Sequence, residues 1–137
     1  MTEAVLDASV ILKWFRSEGE RNVAEARSLR RAFTEGELVV FAPPLVRLEL
    51  LNVAGRRWRW RERPLVALAN ALDELGFQLR DPELTRVARW TARGLTAYDA
   101  AYVALAEEEG IRLFTDDDFL ATAAGEIATR LGESGLR

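Results

Sequence analysis

The chain has 137 residues, 49% of them hydrophobic and 30% charged, which is the size and composition of one folded domain spanning residues 1–137 and excludes a disordered or fibrous chain. It contains no histidine and no cysteine, so it cannot carry a Ser-His-Asp triad, a thiol nucleophile, a histidine-driven ribonuclease mechanism or a zinc site of thiolates and imidazoles. The net charge of −3 does not advertise a polyanion binder, and neither a signal-peptide pattern nor an apolar run of roughly 20 residues is present, so a soluble cytoplasmic protein without a membrane role is expected.

Short apolar runs of β type alternate with longer helical patterns, which predicts an α/β fold with a mostly parallel central sheet flanked by helices. The first run, Ala4 to Leu6, ends at Asp7. Asn22 to Thr34 places Val23, Ala26, Leu29, Ala32 and Phe33 at helical spacing, and Gly36 closes that helix. Leu38 to Ala42 reads as a strand. Pro43-Pro44 stops it and presets a helix running to about Arg57. Pro64 opens a further helix, Leu65 to Leu75, before Gly76 and a short strand at Phe77 to Leu79. Asp81 is the expected cap of a helix with Pro82 at its first position, running to Gly94. Thr96 begins an apolar helix, Ala97 to Glu109, ended by Gly110. Ile111 to Phe114 is the last expected strand, followed by Thr115 and three aspartates. Phe119 to Leu131 is read as helix, and Gly132 to Arg137 as a loose tail.

Five of the seven aspartates fall at strand exits or helix entries: Asp7, Asp99, Asp116, Asp117 and Asp118. In a parallel sheet the strand exits share one edge, so Asp7 and the Asp116–Asp118 group converge on the crevice where such folds bind ligands. Glu49 lies in the helix after Pro44, among Leu48, Leu50 and Leu51. Each acid also has a structural explanation. Asp99 stands three residues after Thr96, the spacing of a capping box. The three aspartates can cap the last helix, with Asp118 assigned that role, Asp7 can begin a turn, and Glu49 can pair with Arg47.

The acids taken together carry a further argument. Two carboxylates about 4 Å apart repel by about 4 kcal/mol at an effective dielectric near 20. Relief comes from protonation, an arginine or a divalent cation. Hard cations such as Mg²⁺ or Mn²⁺ take oxygen ligands and need neither histidine nor cysteine, so metal-assisted hydrolysis is the chemistry this inventory allows most easily.

The segments VLDASVILKWF (Val5 to Phe15), APPLVRLELLN (Ala42 to Asn52), LTAYDAAYVALA (Leu95 to Ala106) and LFTDDDF (Leu113 to Phe119) together resemble the PIN domain, especially the VapC toxins of toxin–antitoxin pairs. The resemblance implies a PIN-like fold and an endoribonuclease dependent on Mg²⁺, with Mn²⁺ as a substitute. It also implies a homodimer and inhibition by a VapB-type antitoxin. The family's acids fall on Asp7, Glu49, Asp99 and Asp117, as catalytic and metal-binding residues. Asp116 occupies the variable place between Thr115 and Asp117. Ser9 and Thr115 match hydroxyl positions that support the site by orienting ligands or phosphate, and Asp116 joins them one step behind the metal ligands. The implied reaction is attack of water on an RNA phosphodiester, leaving a 5′-phosphate and a 3′-hydroxyl.

Arg56 to Arg63 reads RRWRWRER, and Arg56, Arg57, Arg59 and Arg61 are candidates for contact with RNA or a protein partner, with the partner reading favoured. Trp14 and Phe15 read as packing residues, and Leu65, Leu68, Leu72 and Leu75 as an apolar helix face. A receiver domain would need a lysine late in the sheet, whereas the only lysine is Lys13. A haloacid-dehalogenase-type phosphatase would carry Asp-x-Asp where this chain has Asp7-Ala8-Ser9. Two rivals within the fold are a PIN nuclease of RNA maturation without an antitoxin and an idle module that only binds RNA or protein.

Overall fold

The apolar run that ends at Asp7 forms the first strand, β1 (Thr2–Leu6), in a computed structural model that describes residues 1–133. Ala4, Val5 and Leu6 are buried without a break, as expected of a strand covered on both faces. It is followed by α1 (Ala8–Phe15), α2 (Val23–Thr34), β2 (Leu38–Ala42), α3 (Leu45–Arg56), α4 (Glu62–Glu74), β3 (Gln78–Leu79) and α5 (Leu84–Thr91). The last part of the described chain holds α6 (Ala97–Glu109), β4 (Arg112–Thr115), α7 (Asp118–Ala124) and β5 (Ala128–Arg130). All strand pairs are parallel and the sheet order is β3-β2-β1-β4-β5, so the expected α/β architecture with a parallel sheet is what forms.

This order puts β1 at the centre. The chain winds outward through β2 and β3 on one side and through β4 and β5 on the other. The crevice outside the carboxyl ends of β1 and β4 is therefore the switch point where open parallel sheets bind ligands. Asp7 leaves β1 at that point and its N–H bonds to the Phe114 carbonyl of β4.

Helix α6 has no polar face over much of its length: Ala100 through Ala106 are all buried, and the helix packs on β1, β4 and α5. Its alanines allow close approach to the sheet. On the other side Trp14, Phe33 and Phe77 form an aromatic cluster with ring centroids 5.2–5.9 Å apart, and the Trp14 indole N–H donates to the Ala26 carbonyl at 2.9 Å.

Several expected boundaries move, each for a physical reason. The helix expected over Phe119 to Leu131 stops at Ala124, because Gly125 takes a positive φ of 61°. One 3-10 turn follows, and then β5, whose residues pair in register with Leu113, Phe114 and Thr115. The expected helix start at Asp81-Pro82 lies instead at Leu84, where the Glu108 carboxylate on α6 accepts the Glu83 N–H. Pro64 does not open α4, which begins at Glu62. Its missing N–H still falls among the first four donors that no helical carbonyl can satisfy. Helix α1, not read from the sequence, is short and is capped by Asp7 itself. Of the expected tail, Leu131–Glu133 form a 3-10 turn and residues 134–137 lie outside the described residues.

Leu50 and Leu48 bracket Glu49 on α3 with opposite environments, 1% and 70% exposed. Leu50→Ala is expected to lower the unfolding free energy in urea by about 2–5 kcal/mol, and Leu48→Ala to leave it within about 0.5 kcal/mol.

Candidate functional site

Asp7 sits at the end of β1 with extended backbone, and caps α1 by accepting the Val10 N–H. Its two oxygens are held from opposite sides. Ser9 donates its hydroxyl to Oδ1 and Thr115, at the end of β4, donates to Oδ2, each at 2.5 Å. Asp7 and Thr115 are both buried. Burial pushes the Asp7 carboxyl up from 3.8 to about 7, against the lowering effect of its three hydrogen bonds, and the nearby charge of Asp99 pushes the same way.

Asp99 occupies the first turn of α6, where the Thr96 hydroxyl accepts its backbone N–H at 3.0 Å. The capping geometry expected at Thr96 is therefore present, made by the Asp99 backbone N–H. Burial raises the Asp99 pKa, the charge of Asp117 adds to the rise, and Thr96 opposes it. Glu49, half-buried on α3, is raised first by burial and then by Asp99, while the hydrogen bond it accepts from the Tyr102 hydroxyl lowers it. Arg47 pairs with Asp73 and leaves Glu49 alone. Asp99 thus stands electrostatically at the centre of the group, acting on Asp7 and Glu49 and acted on by Asp117.

Asp117, not Asp118, caps α7: its Oδ1 accepts the Leu120 N–H at 3.1 Å, and its own N–H donates to Thr115 Oγ1 at 3.0 Å. Asp118 is the first residue of that helix and pairs with Arg21 and Arg130, both at 3.3 Å. Asp116 turns the other way. Although burial alone would raise its pKa, hydrogen bonds from Asn22, Lys13 and Arg21 outweigh it and hold the carboxyl below its usual range.

The basic residues thereby divide the acids into two sets. Asp116 and Asp118 have cationic partners, whereas Asp7, Glu49, Asp99 and Asp117 have none within 4 Å among the described residues. A set of oxygen donors without counter-charge fits a hard divalent cation. As oriented, no three Asp or Glu side chains among the described residues are gathered closely enough to enclose an ion. With Asp7 held by Ser9 and Thr115, and Glu49 by Tyr102, closing on one requires side-chain rotation that mutual repulsion opposes.

Tyr102, Lys13 and Asn22 belong to this environment and were not among the residues singled out from the sequence. Tyr102 is 1% exposed and follows Asp99 by three residues, on the same face of α6. That spacing is its one sequence signal, masked by the alanines and valine around it. Burial, then Glu49, holds its hydroxyl well above the usual tyrosine range, so it stays a donor.

The PIN-domain family matches residues 4–126, and the chain belongs to that family, whose members are generally nucleases. No curated protein matches the chain significantly. Among solved structures it is similar to PAE2754 from Pyrobaculum aerophilum, at 27% identity over 96% of this chain and 90% of that one, with a TM-score of 0.66. It is also similar in fold to VapC20 from Mycobacterium tuberculosis, a toxin that cleaves the sarcin-ricin loop, at 19% identity, 88% and 94% coverage and a TM-score of 0.66. A third likeness is to FitAB bound to a DNA fragment, at 16% identity, 93% and 94% coverage and a TM-score of 0.62.

The burial of these unpaired acids and their mutual repulsion have two measurable consequences. Asp99→Asn is expected to leave the melting temperature in chelator unchanged or raise it, while added Mn²⁺ stabilises the wild type much more than the variant. A large loss in chelator would mean that Asp99 serves as a helix-capping residue. The second consequence is a pH dependence. An acid whose pKa is raised on folding binds its proton more tightly folded than unfolded, so its cost is full above about pH 7 and fades as the pH falls toward 3.8. The stability gained by Asp7→Asn in metal-free protein is therefore expected to be greater at pH 8 than at pH 5, by on the order of 2 kcal/mol in urea titrations.

Proposed function

We propose that this protein is a divalent-metal-dependent endoribonuclease and the toxin half of a toxin–antitoxin pair. The observation that carries the reading is the set of four carboxylates left without cations around Asp99, at the switch point of a parallel sheet. The likeness to VapC20, a toxin that cleaves an RNA loop, supports RNA as the substrate class. A cytoplasmic location belongs to the same proposal.

Asp7, Asp99 and Asp117, with Glu49 directly or through water, are the residues that would hold Mg²⁺, or Mn²⁺ in its place. The cation would supply Lewis acidity toward a phosphate oxygen and lower the pKa of the attacking water. The chain's own residues do the positioning. Ser9 and Thr115 fix the Asp7 carboxylate between β1 and β4, and Tyr102 fixes Glu49. Asp117 is held through its backbone by Thr115, so one hydroxyl bonds both Asp7 and Asp117.

A second copy of the chain and a VapB-type antitoxin are the proposed protein partners. An apolar cleft of about 530 Å³ between α3 and α4, lined by Leu45, Leu48, Leu51 and Leu72, supports an interface there. Arg56, Arg57, Arg59 and Arg61 favour a partner over RNA. Arg16 lies over Trp58 at 5.5 Å, at the end of α1 away from Asp7, and the eight helical residues between them span about 12 Å.

RNA cleavage by the purified protein with Mg²⁺ tests the reading. The expected products carry 5′-phosphates and 3′-hydroxyls, and EDTA stops the reaction. Asp7→Asn and Asp117→Asn each lower the rate at least about 100-fold, and Asp118→Asn leaves it within about threefold. Cyclic 2′,3′-phosphate ends, or cleavage indifferent to EDTA, would overturn it.

A further inference from the structure

Three consecutive aspartates on one turn repel each other, and the turn between β4 and α7 is useful to a metal site only if the middle one faces the crevice. The side chain of Lys13, the sole lysine of the chain, is only 1% exposed and ends 2.9 Å from Asp116 Oδ2 and 2.7 Å from Glu20 Oε1. Burying an ammonium group is costly, so a lysine in this place needs its anionic partners. The same Asp116 carboxylate accepts from Asn22 Nδ2 at 2.8 Å and from Arg21 Nε at 3.2 Å, and Arg21 also bonds the Asp116 carbonyl at 2.8 Å. Asn22 adopts a left-handed backbone, φ 54°, in making this contact.

We infer that Lys13 is a positioning residue for Asp117: by holding the Asp116 carboxylate on the far side of the turn, it aims the next carboxylate into the crevice at the end of β1. The inference rests on the metal-nuclease reading above and adds to it a residue that touches neither metal nor substrate. The coupling runs through identifiable bonds. The Asp116 N–H donates to Ser9 Oγ at 2.9 Å and the Asp117 N–H to Thr115 Oγ1 at 3.0 Å, and both hydroxyls donate to Asp7. Helix α1 closes the loop, because it carries Asp7 at its cap and Lys13 six residues later on one rigid strut. A shift of Asp116 therefore displaces Asp117 and also the two donors that orient Asp7.

A stabilising ion pair with no positioning role is separated from this by removing both charges together. Lys13→Met combined with Asp116→Asn leaves no charge of this cluster buried without a partner, since Glu20 is partly solvated. In chelator this double variant is expected to stay folded by circular dichroism. Titrating Mn²⁺ by calorimetry is expected to give binding at least about tenfold weaker than wild type, with the RNA cleavage loss in kcat more than in KM. Asp116→Asn alone keeps the Lys13–Glu20 pair, and it supplies the same comparison if the double variant does not fold. Wild-type Mn²⁺ affinity in the variant would overturn the positioning role while leaving the nuclease reading intact. Failure of the wild type itself to bind Mn²⁺ would overturn both.

Discussion

Electrostatic repulsion among acids that no basic residue neutralises is the constraint around which this molecule is arranged. The chain has basic residues in nearly the same number as acidic ones, and it applies them selectively. Lys13, Arg21 and Arg130 reach Asp116 and Asp118, yet nothing cationic among the described residues reaches Asp7, Glu49, Asp99 or Asp117. Leaving acids unpaired in a half-buried crevice is destabilising: burial first, and the charge of a neighbouring acid second, raise the pKa values of Asp7, Glu49 and Asp99. A divalent cation, as proposed, would offset that cost.

The surrounding structure holds the acids in place against this repulsion. Asp7 is fixed by the sheet, by the cap of α1 and by two hydroxyls. Asp99 sits on a helix that is itself part of the core, and Glu49 is tied to Tyr102 on that helix. Parallel pairing of β1 with β4 brings Thr115 to Asp7 across 108 positions of sequence, so the two ends of the site are joined by one short hydrogen bond.

Much of this was legible in the sequence because the signals are local. A strand ending in aspartate, a double proline before a helix, and threonine three residues ahead of Asp99 all act within a few residues of themselves. What escaped is non-local. β5 is three residues long and exists because β4 offers an edge. The start of α5 is set by a carboxylate on another helix. Asp116 and Asp117 are chemically identical neighbours, and what distinguishes them is a lysine on α1 and an asparagine 94 residues away. Tyr102 was hidden among apolar residues, since a buried tyrosine ordinarily reads as core.

The long reach of the sheet pairing also bears on when a working pocket can exist. A chain emerging from the ribosome presents β1 and Asp7 first, but Thr115 and Asp117 arrive only after more than a hundred further residues. Until β4 docks beside β1, the first acid lacks its partner hydroxyl and the last acid is not yet in place. A polypeptide that lacks β4 therefore has the first acid but neither Thr115 nor Asp117, and the acid set is assembled only once the β1–β4 pairing forms.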